Sequence, residues 1–161
     1  EAGARNFNWV KLKRHSAGEL KDTIDCVILG YIFGRGKRAS FGAGALLVGV
    51  YDESKDEFVT VSKIGTGLTD EEWREIKVQS SKLKVKNKPA RVNSLITPSV
   101  WVQPKIVIEV LADEITRSPL HTAGYALRFP RLVSFRQADK QAEDATTVKE
   151  LVEMYNQQFK K

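Results

Sequence analysis

Short apolar runs alternate with polar turns along this chain, and that rhythm constrains its fold more than any other feature. Thr23 to Phe33 is rich in β-branched and aromatic side chains and is bounded by a charged stretch and by glycine, which reads as a strand. Ala43 to Tyr51 and Phe58 to Ile64 read likewise, and the polar Asp52-Glu53-Ser54-Lys55-Asp56-Glu57 between them makes the pair a hairpin. Thr69-Asp70-Glu71-Glu72 has the spacing of a capping box, in which a hydroxyl accepts from the amide three residues on and a glutamate returns the bond. A helix is predicted from there to about Ser80. Beyond a lysine-rich loop, Trp101 to Ile115 alternates well enough for one or two strands, and Leu132 to Arg136 supplies another. Thr147-Val148-Lys149-Glu150 repeats the capping box, and Val148, Leu151, Val152, Tyr155 and Phe159 share one face at helical spacing, which predicts a terminal amphipathic helix.

About five antiparallel strands, one interstrand helix and a closing helix are the parts of a Greek-key OB barrel, so a mainly β fold with accessory helices is expected. The 161 residues fit one domain, and 42% hydrophobic content builds a core without disulfides or metal. Residues 9–161 are expected to form the barrel domain and residues 1–8 the end of a linker. The single cysteine, Cys26, lies in an apolar run and reads as a buried structural thiol. No apolar run approaches the roughly 20 residues that span a bilayer, and the first residues lack the layout of a signal peptide, so an intracellular protein without a membrane partner is expected. His15 and His121 have no carboxylate or cysteine at ligand spacing, and the sequence indicates no metal site.

The net charge of +6 is unevenly spread. Residues 51–76 hold eight acidic and three basic side chains, whereas residues 77–105 hold seven basic and no acidic ones: Lys77, Lys82, Lys84, Lys86, Lys88, Arg91 and Lys105. A one-sided field of this kind favours a polyanion such as nucleic acid, although a solvated lysine face gives the same pattern. Gly34-Arg35-Gly36-Lys37-Arg38 is a glycine-flexed basic loop suited to a phosphate backbone, but it lacks the Gly-Lys-Ser/Thr ending of a Walker loop.

Two further runs point to a polyphosphate. In Asn8-Trp9-Val10-Lys11-Leu12-Lys13-Arg14, two lysines one residue apart on an extended segment project the same way, although a bare pair of this kind is also common on edge strands. In Leu127-Arg128-Phe129-Pro130-Arg131, two arginines flank a proline that fixes the backbone, and guanidinium groups suit a multiply charged phosphate. These runs closely resemble the fifth and sixth nucleotidyltransferase motifs of ATP-dependent DNA ligases, and the chain between them resembles the ligase OB-fold domain of the archaeal and eukaryotic type. Asp25 to Gly30 leading into Gly34 to Arg38, Lys63 to Asp70, Val100 to Lys105 and Asp113 to Pro119 follow in the family's order.

The resemblance implies that Lys11 and Lys13 lie near the α-phosphate of ATP and that Arg128 and Arg131 hold the β- and γ-phosphates. The charge pattern and the glycine-flexed loop assign DNA contacts to Lys82, Lys84, Lys86 and Lys88 and to Arg35, Lys37 and Arg38, and the resemblance places an aromatic at Phe129, either wedged against the minor groove or buried in the core. The family's adenylated lysine sits in a Lys-x-Asp-Gly motif that does not occur here, so this chain is expected to be one domain of a larger enzyme. The implied cofactors are ATP and Mg in the full enzyme, neither held by this domain alone. The implied partners are nicked duplex DNA, the adenylation and DNA-binding domains and, through the full enzyme, a sliding clamp. The setting would be the cytoplasm or nucleoid of an archaeon or the nucleus of a eukaryote. One departure is that Arg136-Gln137-Ala138-Asp139-Lys140 is a residue longer than the family's Arg-x-Asp-Lys, which leaves the register of Arg136 open. Glu109 is expected to pair with a basic side chain. Two other readings share the fold: a freestanding OB module for single strands, and the OB domain of an RNA ligase or capping enzyme, which leaves Asp113 to Pro119 unexplained. The isolated chain is expected to stay unlabelled by radioactive ATP and magnesium on denaturing electrophoresis, and a stoichiometric labelled band would contradict the single-domain reading.

Overall fold

The computed structural model describes residues 22–33, 44–65, 68–136 and 140–159. In chain order these form β1 (Ile24–Ile32), β2 (Ala45–Asp52), β3 (Glu57–Ile64), α1 (Asp70–Ser80), β4 (Lys84–Val85), β5 (Val92–Asn93), β6 (Val100–Val102), β7 (Val107–Leu111), β8 (Glu114–Arg117), β9 (Tyr125–Arg128), β10 (Arg131–Phe135), a 3-10 turn (Ala142–Asp144) and α2 (Val148–Gln157). The main sheet runs β10-β7-β1-β2-β3-β5, with β6 pairing to both β1 and β4, while β8 and β9 form a separate ladder. Lys11, Lys13, Arg35, Lys37 and Arg38, and the expected linker, lie outside the described residues.

β1 is central because its sequence allows both faces to be buried. Ile24, Cys26 and Ile28 enter one apolar cluster, and Val27 and Leu29 enter another. Strict alternation would send Tyr31 to the second cluster, but a register shift against β2 between Ile28 and Gly30 re-phases the strand. Tyr31 therefore turns into the first cluster, where its hydroxyl meets that of Ser80 at the end of α1. Gly30 is needed at this point, because a Cβ would lie 2.5 Å from the Val100 carbonyl oxygen. The first cluster is the barrel interior, with Val48, Val50, Val59, Val61, Trp73 and Ile108 among its members. The second, with Phe58, Val92, Trp101 and Val107, covers the other face of the sheet. Cys26 is fully buried, and burial pushes its thiol pKa up, so it stays a neutral packing group.

Both capping boxes form. The Glu72 N–H donates to the Thr69 hydroxyl at 3.1 Å and the Thr69 N–H to the Glu72 carboxylate at 2.9 Å, a cap worth about 1 kcal/mol. Leu68 and Trp73, at the positions of a hydrophobic staple, both enter the interior. In α2 the same bonds join Thr147 and Glu150, and Leu151 is the residue that reaches the core. Gln158 just beyond α2 grips β8, its Oε1 accepting from the Ile115 N–H at 2.5 Å and its Nε2 donating to the Ile115 carbonyl at 3.0 Å. The gap between β3 and the β8–β9 ladder is bridged by Thr60, whose N–H donates to Thr122 Oγ1 at 2.8 Å and whose carbonyl accepts from Ala123 at 3.0 Å. His121 Nδ1 lies 3.1 Å from Thr60 Oγ1 in the same seam.

Several sequence expectations change. The lysine-rich segment holds two short strands, β4 and β5, and β5 pairs parallel to β3, with Phe58 opposite Val92. Trp101 to Ile115 spans three strands, because Pro104-Lys105 turns the chain and Ala112-Asp113 interrupts it again. Tyr125–Arg128 is too brief for alternation to mark it. Phe159 lies past the end of α2, half exposed and edge-on to Tyr155 at a centroid distance of 5.3 Å.

A Cβ on Gly49 would fall on the Val59 carbonyl, whereas one on Gly124, at φ 85°, meets open space. Gly49→Ala is expected to cost about 1–3 kcal/mol through overpacking and Gly124→Ala about 1 kcal/mol through backbone strain alone. Urea midpoints at constant m-value measure both. Burial, and then the charge of Lys63, hold the His121 imidazole below its ordinary range, so the fold favours the neutral ring. That contribution is complete above the unfolded value of about 6.5, begins to be lost as pH falls below it, and is gone below the folded value. Stability is expected to drop as pH falls below about 6.5 and to drop less in His121→Gln; equal slopes would contradict a buried neutral histidine.

Candidate functional site

The residues of most chemical interest meet where β8, β9 and β10 converge. β8 and β9 pair antiparallel with Glu114 opposite Arg128, and β10 pairs with β7, placing Arg131 opposite Leu111. Phe129 and Pro130 are the whole connection between β9 and β10. A two-residue link between different ladders forces a sharp kink, and Phe129 takes it at φ 53°, a left-handed conformation that costs a bulky residue about 1–3 kcal/mol. Two bonds hold the kink: the Asp113 N–H donates to the Arg128 carbonyl at 2.8 Å, and Arg131 Nη1 donates to the Phe129 carbonyl at 2.9 Å. Arg128 and Arg131 therefore flank one corner.

Each arginine has an acid beside it. Arg128 Nη1 donates to Glu114 at 2.6 Å, with its guanidinium 5.3 Å over the Phe129 ring, and Arg131 Nη1 donates to Asp113 at 3.0 Å. The arginine side chains are 57% and 46% exposed, so the pairs are worth only about 0–1 kcal/mol each and exchange readily. Among the described residues both guanidiniums bind through Nη1, leaving Nε and Nη2 for an incoming anion. Two forked cations with open edges suit a polyphosphate. Phe129 is 62% exposed, which corrects the core reading and leaves its ring projecting at the corner.

The lysine block sits elsewhere in the topology. β4 attaches through β6 to the end of β1, and no strand pairing among the described residues joins it directly to β9 or β10. Lys82, Lys84 and Lys86 are exposed along this segment. Lys88 donates to the Val92 carbonyl at 2.5 Å. Arg91 is engaged twice, with Asp56 at 2.6 Å and Glu143 at 2.7 Å, and its guanidinium lies 5.1 Å over Phe58. The Tyr51 hydroxyl and then Arg91 hold the Asp56 carboxyl below the usual range. Arg91 is thus a staple across the turn and the 3-10 segment, and its charge is offset locally. An open cleft of about 860 Å³, lined by Val85, Asn87, Arg91, Lys105, Lys140 and Glu143, lies beside it.

Arg136 and Lys140 converge on Asp25, at 3.6 and 2.7 Å, and Arg136 also lies 4.0 Å from Glu109. Glu109 accepts from Thr23 at 2.7 Å and from Ser134 at 2.9 Å, and these two hydroxyls depress its pKa more than the cations do. Arg136 and Lys140 thus tie the segment after β10 to the start of β1. Sequence reasoning did not identify Asp113 and Glu114 as partners of the arginines. The polar Ser118-Pro119 to Gly124 stretch was the available signal, since a turn there brings an acidic strand end against a basic one.

The sequence profile of the family described as ATP dependent DNA ligase C terminal region matches residues 39–140. The chain is 58% identical to a probable DNA ligase of Dictyoglomus turgidum, over 99% of this chain and 29% of that protein. It is 47% identical to a DNA ligase of Pyrobaculum calidifontis, again over 99% of this chain and 29% of that protein. The chain thus spans less than a third of the length of these relatives. Among solved structures, the ligase domain of M. tuberculosis LigD superposes with a TM-score of 0.57 at 26% identity, covering 78% of this chain and 38% of that one. A mycobacterial DNA ligase D complexed with ATP and MES shares the fold at 24% identity and a TM-score of 0.55, covering 78% of this chain and 37% of that one. With more than half of its residues matched by the family profile, the chain belongs to the ATP-dependent DNA ligase C-terminal region family.

Proposed function

We propose that this chain is the part of an ATP-dependent DNA ligase that closes over ATP during enzyme adenylation and then clamps nicked duplex DNA during phosphodiester formation. The observation that carries this reading is the β9–β10 corner, where Arg128 and Arg131 flank an exposed Phe129 and, among the described residues, bind through Nη1 alone. In the first step the neutral amine of an adenylation-domain lysine bonds to the α-phosphorus and gives up a proton to water, the bond to the β-phosphate breaks, and its electron pair leaves on pyrophosphate. Arg128 and Arg131 hold the β- and γ-phosphates and orient that leaving group, stabilising charge where it develops. ATP enters as its magnesium complex. Lys11 and Lys13 attend the α-phosphate, which persists from ATP to enzyme-AMP to adenylated DNA.

After adenylation the same corner turns to the nick, with Phe129 as an apolar wedge at the minor groove. Arg35, Lys37, Arg38, Lys82, Lys84, Lys86 and Lys88 supply contacts to the phosphate backbone. The partners are the adenylation and DNA-binding domains, nicked duplex DNA and a sliding clamp, and the work is replication, repair and recombination inside the cell.

A chimera in which this chain replaces the matching region of the Dictyoglomus turgidum relative tests the proposal. Arg131→Ala is expected to slow adenylation about a hundredfold, about 3 kcal/mol, while sealing of a preadenylated nick stays within a few-fold. Equal losses at both steps would refute the leaving-group role. Lys11→Ala or Lys13→Ala should impair more than one step. Duplex affinity should fall steeply with salt, with a slope that flattens by about one for each phosphate-binding cation removed. Lys82→Ala, Lys84→Ala and Lys86→Ala should flatten it more than Lys88→Ala, whose ammonium is already engaged, and the set Arg35, Lys37 and Arg38 to Ala tests the other loop. An unchanged slope for both sets would rule out the assigned DNA contacts.

A further inference from the structure

We infer that Asp113 and Glu114 are a resident counter-anion that competes with polyphosphate for Arg131 and Arg128, and so promotes the release of pyrophosphate. The inference rests on the phosphate role proposed above for the two arginines.

The acids are held in place by backbone. Strand register sets Glu114 opposite Arg128, and the Asp113 N–H is fixed to the Arg128 carbonyl at 2.8 Å. Gln158 grips the next residue, Ile115, through both its backbone groups. The backbone that carries the carboxylates therefore stays in place when an anion arrives, and side-chain rotation alone separates the paired and unpaired states. Both carboxylates take Nη1 of their arginine, an atom that a phosphate needs for one of the two forked approaches to a guanidinium. An anion that takes the end-on fork, through Nη1 and Nη2, must displace the carboxylate. Its apparent affinity falls by the fraction of time the arginine is unpaired, the relation that governs any binding-competent minority state.

The carboxylate and the departing anion are not equivalent competitors. The carboxylate is tethered, so its effective concentration is independent of dilution, whereas released pyrophosphate diffuses away. Once the bond to AMP has broken, pyrophosphate is no longer tethered through the nucleotide, and each arginine can return to its acid. Because the ion pairs are solvent-exposed, each carboxylate weakens anion binding by roughly two- to fivefold. If the acids merely oriented the arginines, removing them would have the opposite sign.

Tripolyphosphate titrated into the 161-residue chain, followed by the amide NMR signals of Arg128, Phe129 and Arg131, decides between these cases. Glu114→Gln and Asp113→Asn keep the side-chain shape, and amide signals of β1 and β2 report that each variant is folded. Each is expected to bind tripolyphosphate roughly two- to fivefold more tightly than the unaltered chain. In the ligase chimera the same variants should lower both the KM for ATP and the pyrophosphate concentration that halves adenylation, a pairing that a loss of structure would not produce. Weaker or unchanged binding in the acid variants, with binding lost in Arg128→Ala and Arg131→Ala, would overturn the competition and leave the phosphate reading intact. Binding that ignores the arginine substitutions would overturn both, and where the unaltered chain binds too weakly to titrate, an unchanged or raised KM for ATP in the acid variants of the chimera would overturn the competition.

Discussion

Strand β1 must satisfy two apolar clusters at once, and the barrel is arranged around that demand. Its amino-terminal half pairs with β7, its carboxy-terminal end with β6, and its other edge with β2. A strand of polar alternation could not do this, because every second residue would require water. The sequence Ile24-Asp25-Cys26-Val27-Ile28-Leu29-Gly30-Tyr31 supplies apolar groups to both faces, and the bulge at Ile28/Gly30 turns Tyr31 onto α1. Asp25, the charged residue of this run, is compensated by Lys140 and Arg136. The chain that follows β10 is thereby fastened to the strand from which the sheet extends.

The corner at Phe129 inherits its rigidity from this arrangement. β10 is placed by β7, β7 by β1, and β8 by the Gln158 clamp at the end of α2. The two-residue link between β9 and β10 then has little freedom left, and a left-handed phenylalanine is tolerated because bonds from Asp113 and Arg131 hold the carbonyls on either side. Charge at the corner is balanced within the chain, as Arg128 is matched by Glu114 across the ladder and Arg131 by Asp113 in the link between β7 and β8. Exposed pairs of this kind are weak enough for an anion of higher charge density to compete with them, which is the basis of the role proposed for the two arginines.

The long elements were legible because each declared itself locally. The β-branched runs gave β1 to β3, and the two capping boxes gave both helix starts, since the determining bonds span three residues. The short strands β4, β5 and β9 were not legible, because two to four residues carry no period. The parallel pairing of β5 with β3 depends on contacts 34 residues apart, Phe58 with Val92, and nothing local announces it. At the site, Arg128, Phe129 and Arg131 stood out by type and spacing. Their acidic partners did not, because Glu114 meets Arg128 only through hairpin register. Arg91 reads as one more cation in a basic block, yet its neighbours Asp56 and Glu143 lie 35 and 52 residues away in sequence.

The central claim is that Arg128 and Arg131 serve the leaving group and not the adenylate. Discharge of a preformed enzyme-AMP tests it most directly, because the same intermediate can be offered either pyrophosphate or a nicked duplex. In the ligase chimera, Arg128→Ala and Arg131→Ala are expected to slow discharge to pyrophosphate about a hundredfold and to leave discharge to the nick within a few-fold. Equal slowing of both discharges, or slowing of the nick reaction alone, would contradict the account.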